Sequence, residues 1–371
     1  MPRVKVQIRT DALLRFGVVL ILAWVILGAI EVRGTGDDWR LYLDAGHHVG
    51  SIALLTQAHF VYTPGAAWVM WPFVRLPLAA GYFLYVAIMV GLATGAAWLA
   101  SKTYGISFPL ATLMGLAWFP FTIAISLGQN SPVALFLTVA AIFAIAKRND
   151  LLAGLAVALL LYKPNDAMPF LLLFIILKQW RSLAVAAASI PLWYVLSVGA
   201  TGDWAWPLPF SHMFATWYRY DTAIDGVFSI NIPGILLNIG IPNSIAVTIG
   251  AAVFLLTMPL LLGVSRTEAA SIVPLIGIAC SPHAYGYEAV LALPAFWLAA
   301  SQLNVVRIIV VWLVYCVAPL YVFARTVHFD ALAIPILGGF AAWICMRLRA
   351  ILLTVTGRKV RPPSVVTESR T

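Results

Sequence analysis

Charge is scarce in this chain. Asp, Glu, Lys and Arg make up 10% of its 371 residues and apolar residues 62%, against roughly a quarter and about half in a typical soluble domain. A soluble chain of this length has no means of covering so much apolar surface. Period-two alternation is missing as well. The apolar runs are continuous, which argues against a membrane β-barrel and leaves helices as the spanning element. Cysteine is rare. Cys280, Cys316 and Cys345 each lie alone in an apolar segment, so neither a disulfide framework nor a zinc site is indicated. There is no Ser-His-Asp order, phosphate-binding glycine loop, haem motif or redox pair, and no cofactor and no metal are expected.

What is present is a series of twelve apolar segments, at about 16–31, 78–100, 107–127, 131–146, 151–162, 167–178, 182–199, 244–263, 268–280, 288–301, 305–323 and 330–346. The fold class this predicts is an all-α polytopic membrane protein. Residues 1–346 form a single transmembrane domain and 347–371 a basic cytoplasmic tail. Arg3, Lys5, Arg9 and Arg15 precede the first run, which reads as a retained signal anchor. The net charge of +9 is not a nucleic-acid signal. Lys102, Lys147-Arg148, Lys178, Arg181, Arg266, Arg307 and the tail fall on one side of this topology, the positive-inside pattern. Both termini are then cytoplasmic.

Two segments are too short to span. Leu151–Leu161 and Ala167–Leu177 each supply about 17 Å of helix at ~1.5 Å per residue, against a hydrocarbon core of ~30 Å. They read as a hairpin whose tip, Tyr162-Lys163-Pro164-Asn165-Asp166, dips below the outer surface, since irregular polar backbone at that depth belongs beside a wet cavity. Two outer connections are long. Residues 32–77 hold a surface helix near Trp39–Leu55 and an apolar stretch, Ala66–Val74, too short to cross. Residues 200–243 are dense in aromatics, from Trp204 to Tyr220, a composition that suits the headgroup layer or a sugar-stacking surface.

The unusual polar residues gather on the outer side, and costly ionisable groups collected on one face mark a working surface. Asp37 and Asp38 follow the first crossing, where a carboxylate can take a proton from a hydroxyl nucleophile or simply cap a helix. Asp38 runs into Trp39 and Tyr42, which would orient it. Lys163 at the hairpin tip calls for an anion, either a phosphate or Asp166. Gly128-Gln129-Asn130 offers amides for sugar hydroxyls, or a plain turn. His283, Tyr285, Tyr287 and Glu288 follow Ser281-Pro282 and suit a phosphate or sugar better than a metal. Arg325 and His328 add positive charge. His47, His48, His59 and His212 read as exposed loop histidines.

The runs DDWRLYLDAG, FVYTPGAAWVMWPFVRLP, GQN, AGLAVALLLYKPND with KQWR, and SPHAYGYEAVLALP, in that order over residues 30–300, resemble glycosyltransferase family 87. The resemblance implies a bacterial plasma-membrane enzyme of the GT-C type, a polyprenyl-phosphate-linked donor (often mannose), a lipid or glycan acceptor and an active site on the outer face. It also implies an inverting displacement with an acid after the first crossing as base, which matches Asp38, with Asp37 adjacent. Lys163-Pro164, Gly128-Gln129-Asn130 and Ser281 through Glu288 match motifs of that family; on the chemistry of the residues, Lys163, His283 and Arg325 would meet the donor phosphate, and Gln129, Asn130, Asn165, Tyr287 and Glu288 the sugar or acceptor. Gly286, Asn165 and His283 depart from the family's usual residues. A secondary transporter, or a glycolipid-binding or flipping protein without catalysis, is the alternative. Transporters also use Pro-interrupted short segments, but this chain has no matching polar set on the inner side.

Overall fold

The computed structural model describes residues 36–58, 60–225, 228–302 and 332–356. The segments expected at 16–31 and 305–323 lie outside those residues, as do His59, Cys316, Arg325, His328 and the tail beyond 356. The described chain is almost wholly helical. Among the described residues there is no strand, and one isolated bridge joins Ser229 to Tyr285.

The helices follow the apolar runs. They are α1 (Asp37–His47), α2 (Leu78–Tyr104), α3 (Phe108–Leu116), α4 (Phe119–Leu127), α5 (Ser131–Ala146), α6 (Asp150–Leu160), α7 (Pro164–Ile176), α8 (Trp180–Ala188), α9 (Ile190–Thr201), α10 (Pro207–Asp225), α11 (Asn243–Thr257), α12 (Arg266–Cys280), α13 (Leu293–Gln302) and α14 (Ala333–Val355). Shorter helical turns link them. Among the described residues four stretches are long and apolar enough to cross a bilayer: Leu78–Tyr104, Trp180–Thr201, Asn243–Leu261 and Ala333–Thr354. The chain is a multi-pass membrane protein. The span expected at 107–127 is the pair α3 and α4, bent by 59°. Pro120 is in the first turn of α4 and has no N–H for the carbonyl four residues back, so the helix restarts there.

The short hairpin is present. Asn149 caps α6 by accepting from the Leu152 N–H at 3.0 Å, α6 ends at Leu160, and Pro164 opens α7 where its missing N–H costs nothing. Arg148 and Arg181, at the two basic turns flanking the hairpin, line one open cleft together with Asp150. Both turns therefore sit at the same end of the bundle, and the chain between them goes out and returns. The surface helix expected near Trp39–Leu55 is split into α1 and the single turn Ala53–Thr56, and Ala66–Val74 is broken into 3-10 turns.

Helix α12 is the centre of the packing. Nearly every residue from Ala269 to Cys280 is buried, and it touches α5, α7, α11, α13 and α14. Its last turn delivers the Ser281-Pro282-His283 segment to the same end as the hairpin tip. The last helix passes the boundary expected at 346. Arg347 belongs to it, and its guanidinium donates to the carbonyls of Leu260 and Leu262 at 3.1 and 3.0 Å, which lets a charged residue continue the helix.

Candidate active site

Two glycines bring α1 onto α4. Gly36 and Gly128 have φ of +78° and +75°, a region that only glycine enters without cost. The Gly36 N–H donates to the Ser126 carbonyl at 2.9 Å. A Cβ on Gly128 would stand 2.6 Å from the Trp39 Cβ and 3.1 Å from its backbone nitrogen, so the contact exists because that position has no side chain. Trp39 is buried against Phe73, Tyr82 and Tyr85. With Trp39 fixed, Asp38 is held beside the residue after Gly128. Its Oδ2 accepts from the Gln129 Nε2 at 2.7 Å.

The other end of the Gln129 amide is also occupied. Its Oε1 accepts from the Tyr42 hydroxyl at 2.8 Å and from the Tyr62 hydroxyl at 3.4 Å, and the two hydroxyls lie 3.0 Å apart. Burial pushes the Tyr62 hydroxyl up to about 12, and burial likewise raises Tyr42 well above the usual tyrosine range. Both stay protonated at neutral pH. Gln129 is 4% exposed, and its oxygen and one of its N–H groups are engaged within the protein. Asn130 differs: its side-chain oxygen accepts from Tyr162 at 3.2 Å, and the residue is half-buried.

The segment carrying Tyr62 is fastened to the hairpin tip. The Thr63 N–H donates to the Tyr162 carbonyl at 3.0 Å and its hydroxyl to the Leu161 carbonyl at 2.8 Å. This sets the Lys163 ammonium 6.0 Å from the Tyr62 ring centre. Lys163 does have the anion its position calls for, but it is internal. The ammonium donates to Glu288 and lies 3.5 Å from the Asp166 carboxylate. Lys163 is 5% and Glu288 3% exposed. The sequence expectation gave Lys163 to a phosphate and Glu288 to a sugar; in this structure the two are paired with each other. One positive charge already faces two negative ones, and no surplus remains for an incoming anion.

Asn165 is exposed and, with Asp166, Ser281 and Glu288, lines a cavity of about 20 Å³, room for about one water. Tyr287 is half-buried. Its ring continues a ladder that runs out along α10: Tyr287 to Tyr285 at 6.1 Å, Tyr285 to His283 at 4.4 Å, His283 to Trp217 at 5.0 Å, then Phe214, Phe210 and Trp206 at 5.6–6.1 Å steps. The Tyr218 hydroxyl ties α10 to this loop by donating to the Pro282 carbonyl at 3.3 Å. Trp204 and Phe214 are exposed, so the ladder reaches from a surface helix to the buried carboxylate.

The structure thus joins Asp38, Gln129, Lys163 and Glu288 through the Tyr42–Tyr62 pair, with Asn130, Asn165, His283 and Tyr287 around them. Asp37 is the first residue of α1, and Arg325 lies outside the described residues. Sequence reasoning did not single out Tyr62, and named Tyr162 only as part of the hairpin tip. Both sit in the motif runs FVYTPG and LYKPND, so the signal was there without the contact. Among the described residues no three His, Cys, Asp or Glu side chains converge. The model of glycosyltransferase family 87 matches residues 60–346 of the chain, a range that begins after Asp38. No curated protein and no solved structure matches it.

Proposed function

The chain belongs to glycosyltransferase family 87 and is a membrane glycosyltransferase, and from that premise we propose that it transfers a sugar from a polyprenyl-phosphate donor to a hydroxyl of a lipid or glycan acceptor. Mannose is the sugar we favour, on the family resemblance of its motifs. The enzyme would be of the GT-C type, in a bacterial plasma membrane, with both termini cytoplasmic and the site on the outer face. The distribution of basic turns supports that orientation: Arg148 and Arg181 share one end of the bundle, and cytoplasmic ends are the basic ones.

Asp38 is the base in this reading, and the observation that carries it is the 2.7 Å bond from Gln129. A carboxylate that accepts an amide N–H is kept ionised and oriented, the state a proton acceptor needs. It takes the proton of the acceptor hydroxyl as that oxygen attacks the anomeric carbon. The bond from that carbon to the phosphate oxygen breaks, polyprenyl phosphate leaves with the electron pair, and configuration inverts. Asp37, one residue earlier, is the weaker choice because Gln129 engages Asp38. We assign His283 and Arg325 to the phosphate, because Lys163 is paired with Glu288 and Asp166. Asn130, Asn165 and Tyr287 are the groups available to sugar hydroxyls, and the ladder from Trp206 to Tyr287 gives sugar or isoprenoid carbon a surface to lie on.

The test is mass spectrometry of glycolipids and glycans from cells with and without the protein. Loss of a species one hexose heavier than an accumulating precursor is expected. Unchanged glycolipids together with protein-dependent solute accumulation in proteoliposomes would contradict the proposal.

A further inference from the structure

We propose that Gln129 is the positioning residue of the base, and that Tyr42 and Tyr62 fix which way its amide faces so that it donates to Asp38. The inference rests on Asp38 being the base. A buried primary amide has two orientations of nearly equal shape, and hydrogen-bond partners decide between them. Here the partners leave one. Nε2 meets the Asp38 Oδ2 at 2.7 Å, while Oε1 receives the Tyr42 hydroxyl at 2.8 Å and lies 3.4 Å from that of Tyr62. Turning the amide over would aim its carbonyl at the carboxylate and take the acceptor away from two protonated phenols.

The consequence concerns the proton. The N–H that Oδ2 accepts favours the ionised carboxylate, and the two tyrosines hold the amide in the orientation that supplies it. Among the described residues, Tyr42, Tyr62, Tyr85 and Tyr287 feel the Asp38 charge, and Asp37 is beside it in the chain. The phenols keep their protons in the range where a carboxylate titrates, so the informative quantity is the difference between the acid limbs of variant and wild type.

The experiment measures kcat, donor KM and the pH dependence of kcat/KM for the purified protein with a polyprenyl-phosphate-mannose donor, in Gln129→Leu, Gln129→Glu, Tyr42→Phe and Asp38→Asn variants. Removing the donor to a charged carboxylate, or setting a second carboxylate against it, raises its pKa. Gln129→Leu and Gln129→Glu should lower kcat at least about tenfold, leave KM within about threefold, and move the acid limb up by roughly one unit or more. Tyr42→Phe should move the limb the same way by less, and it serves if either Gln129 variant fails to fold. A wild-type acid limb in the folded variants, or a raised KM with kcat retained, would overturn the positioning role and return Gln129 to substrate binding or simple packing. Asp38→Asn separates the two levels. Its inactivity alongside an unmoved limb sinks only the positioning role, whereas near-normal turnover in that variant sinks the base assignment and this inference with it.

Discussion

Lys163 offers the sharpest separation between a structural and a substrate-binding role. Its ammonium is 5% exposed and sits between Glu288 and Asp166, residues on α7 and on the segment after α12. Lys163→Ala would leave two carboxylates facing one another with no cation. Removing one partner of a buried ion pair costs about 3–5 kcal/mol, because the remaining charge keeps its desolvation penalty. For an unfolding unit of roughly 150–250 residues this corresponds to a fall in apparent melting temperature on the order of 6–20 °C. The assay is thermal unfolding of the detergent-solubilised protein, followed by tryptophan fluorescence and by the monodisperse fraction on size exclusion. The double variant Lys163→Met with Glu288→Met replaces the pair with apolar volume, and such exchanges are often neutral. It should recover at least half of the loss. A Lys163→Ala protein with the melting temperature of wild type and donor affinity weakened tenfold or more would refute the reasoning and restore the lysine to the phosphate.

Two further substitutions test the frame around the site. Gly128→Ala puts a methyl group 2.6 Å from the Trp39 Cβ at a φ of +75°; left-handed backbone alone costs about 1–2 kcal/mol, and transferase activity should fall more than the folded fraction, since Asp38 moves with Trp39. Asn149→Ala removes the cap on the Leu152 N–H at the far end of the hairpin. It should cost about 1 kcal/mol, visible in thermal unfolding, with kcat within about twofold of wild type; a large loss of activity at unchanged stability would show that this end of the bundle takes part in turnover.

How much was legible in the sequence depended on whether the signal was local. Continuous apolarity and the basic turns gave the helices, and the segment read at 131–146 is Ser131–Ala146. The hairpin followed from two lengths and four charges. The end of α14 did not, because Arg347 looks like the edge of a span until its two carbonyl partners, 85 and 87 residues earlier, are known. The bend inside 107–127 was written in Trp118-Phe119-Pro120, but an apolar run hides a proline restart. At the site, Asp38 with Trp39 and Tyr42 was readable as one helical turn. The partner of Lys163 was not: Glu288 is 125 positions away, and nothing local distinguishes a carboxylate that pairs from one that binds sugar. The partners of Gln129 were hidden for the same reason, since Asp38 and Tyr42 come from α1 and Tyr62 from a loop.

The most direct measurement is transfer of labelled mannose from polyprenyl phosphate by purified Asp38→Asn protein, made together with donor binding to the same sample. The account predicts a loss of turnover of at least about a thousandfold, within the reach of general-base catalysis aided by orientation, with donor affinity retained. Turnover within tenfold of wild type would contradict it.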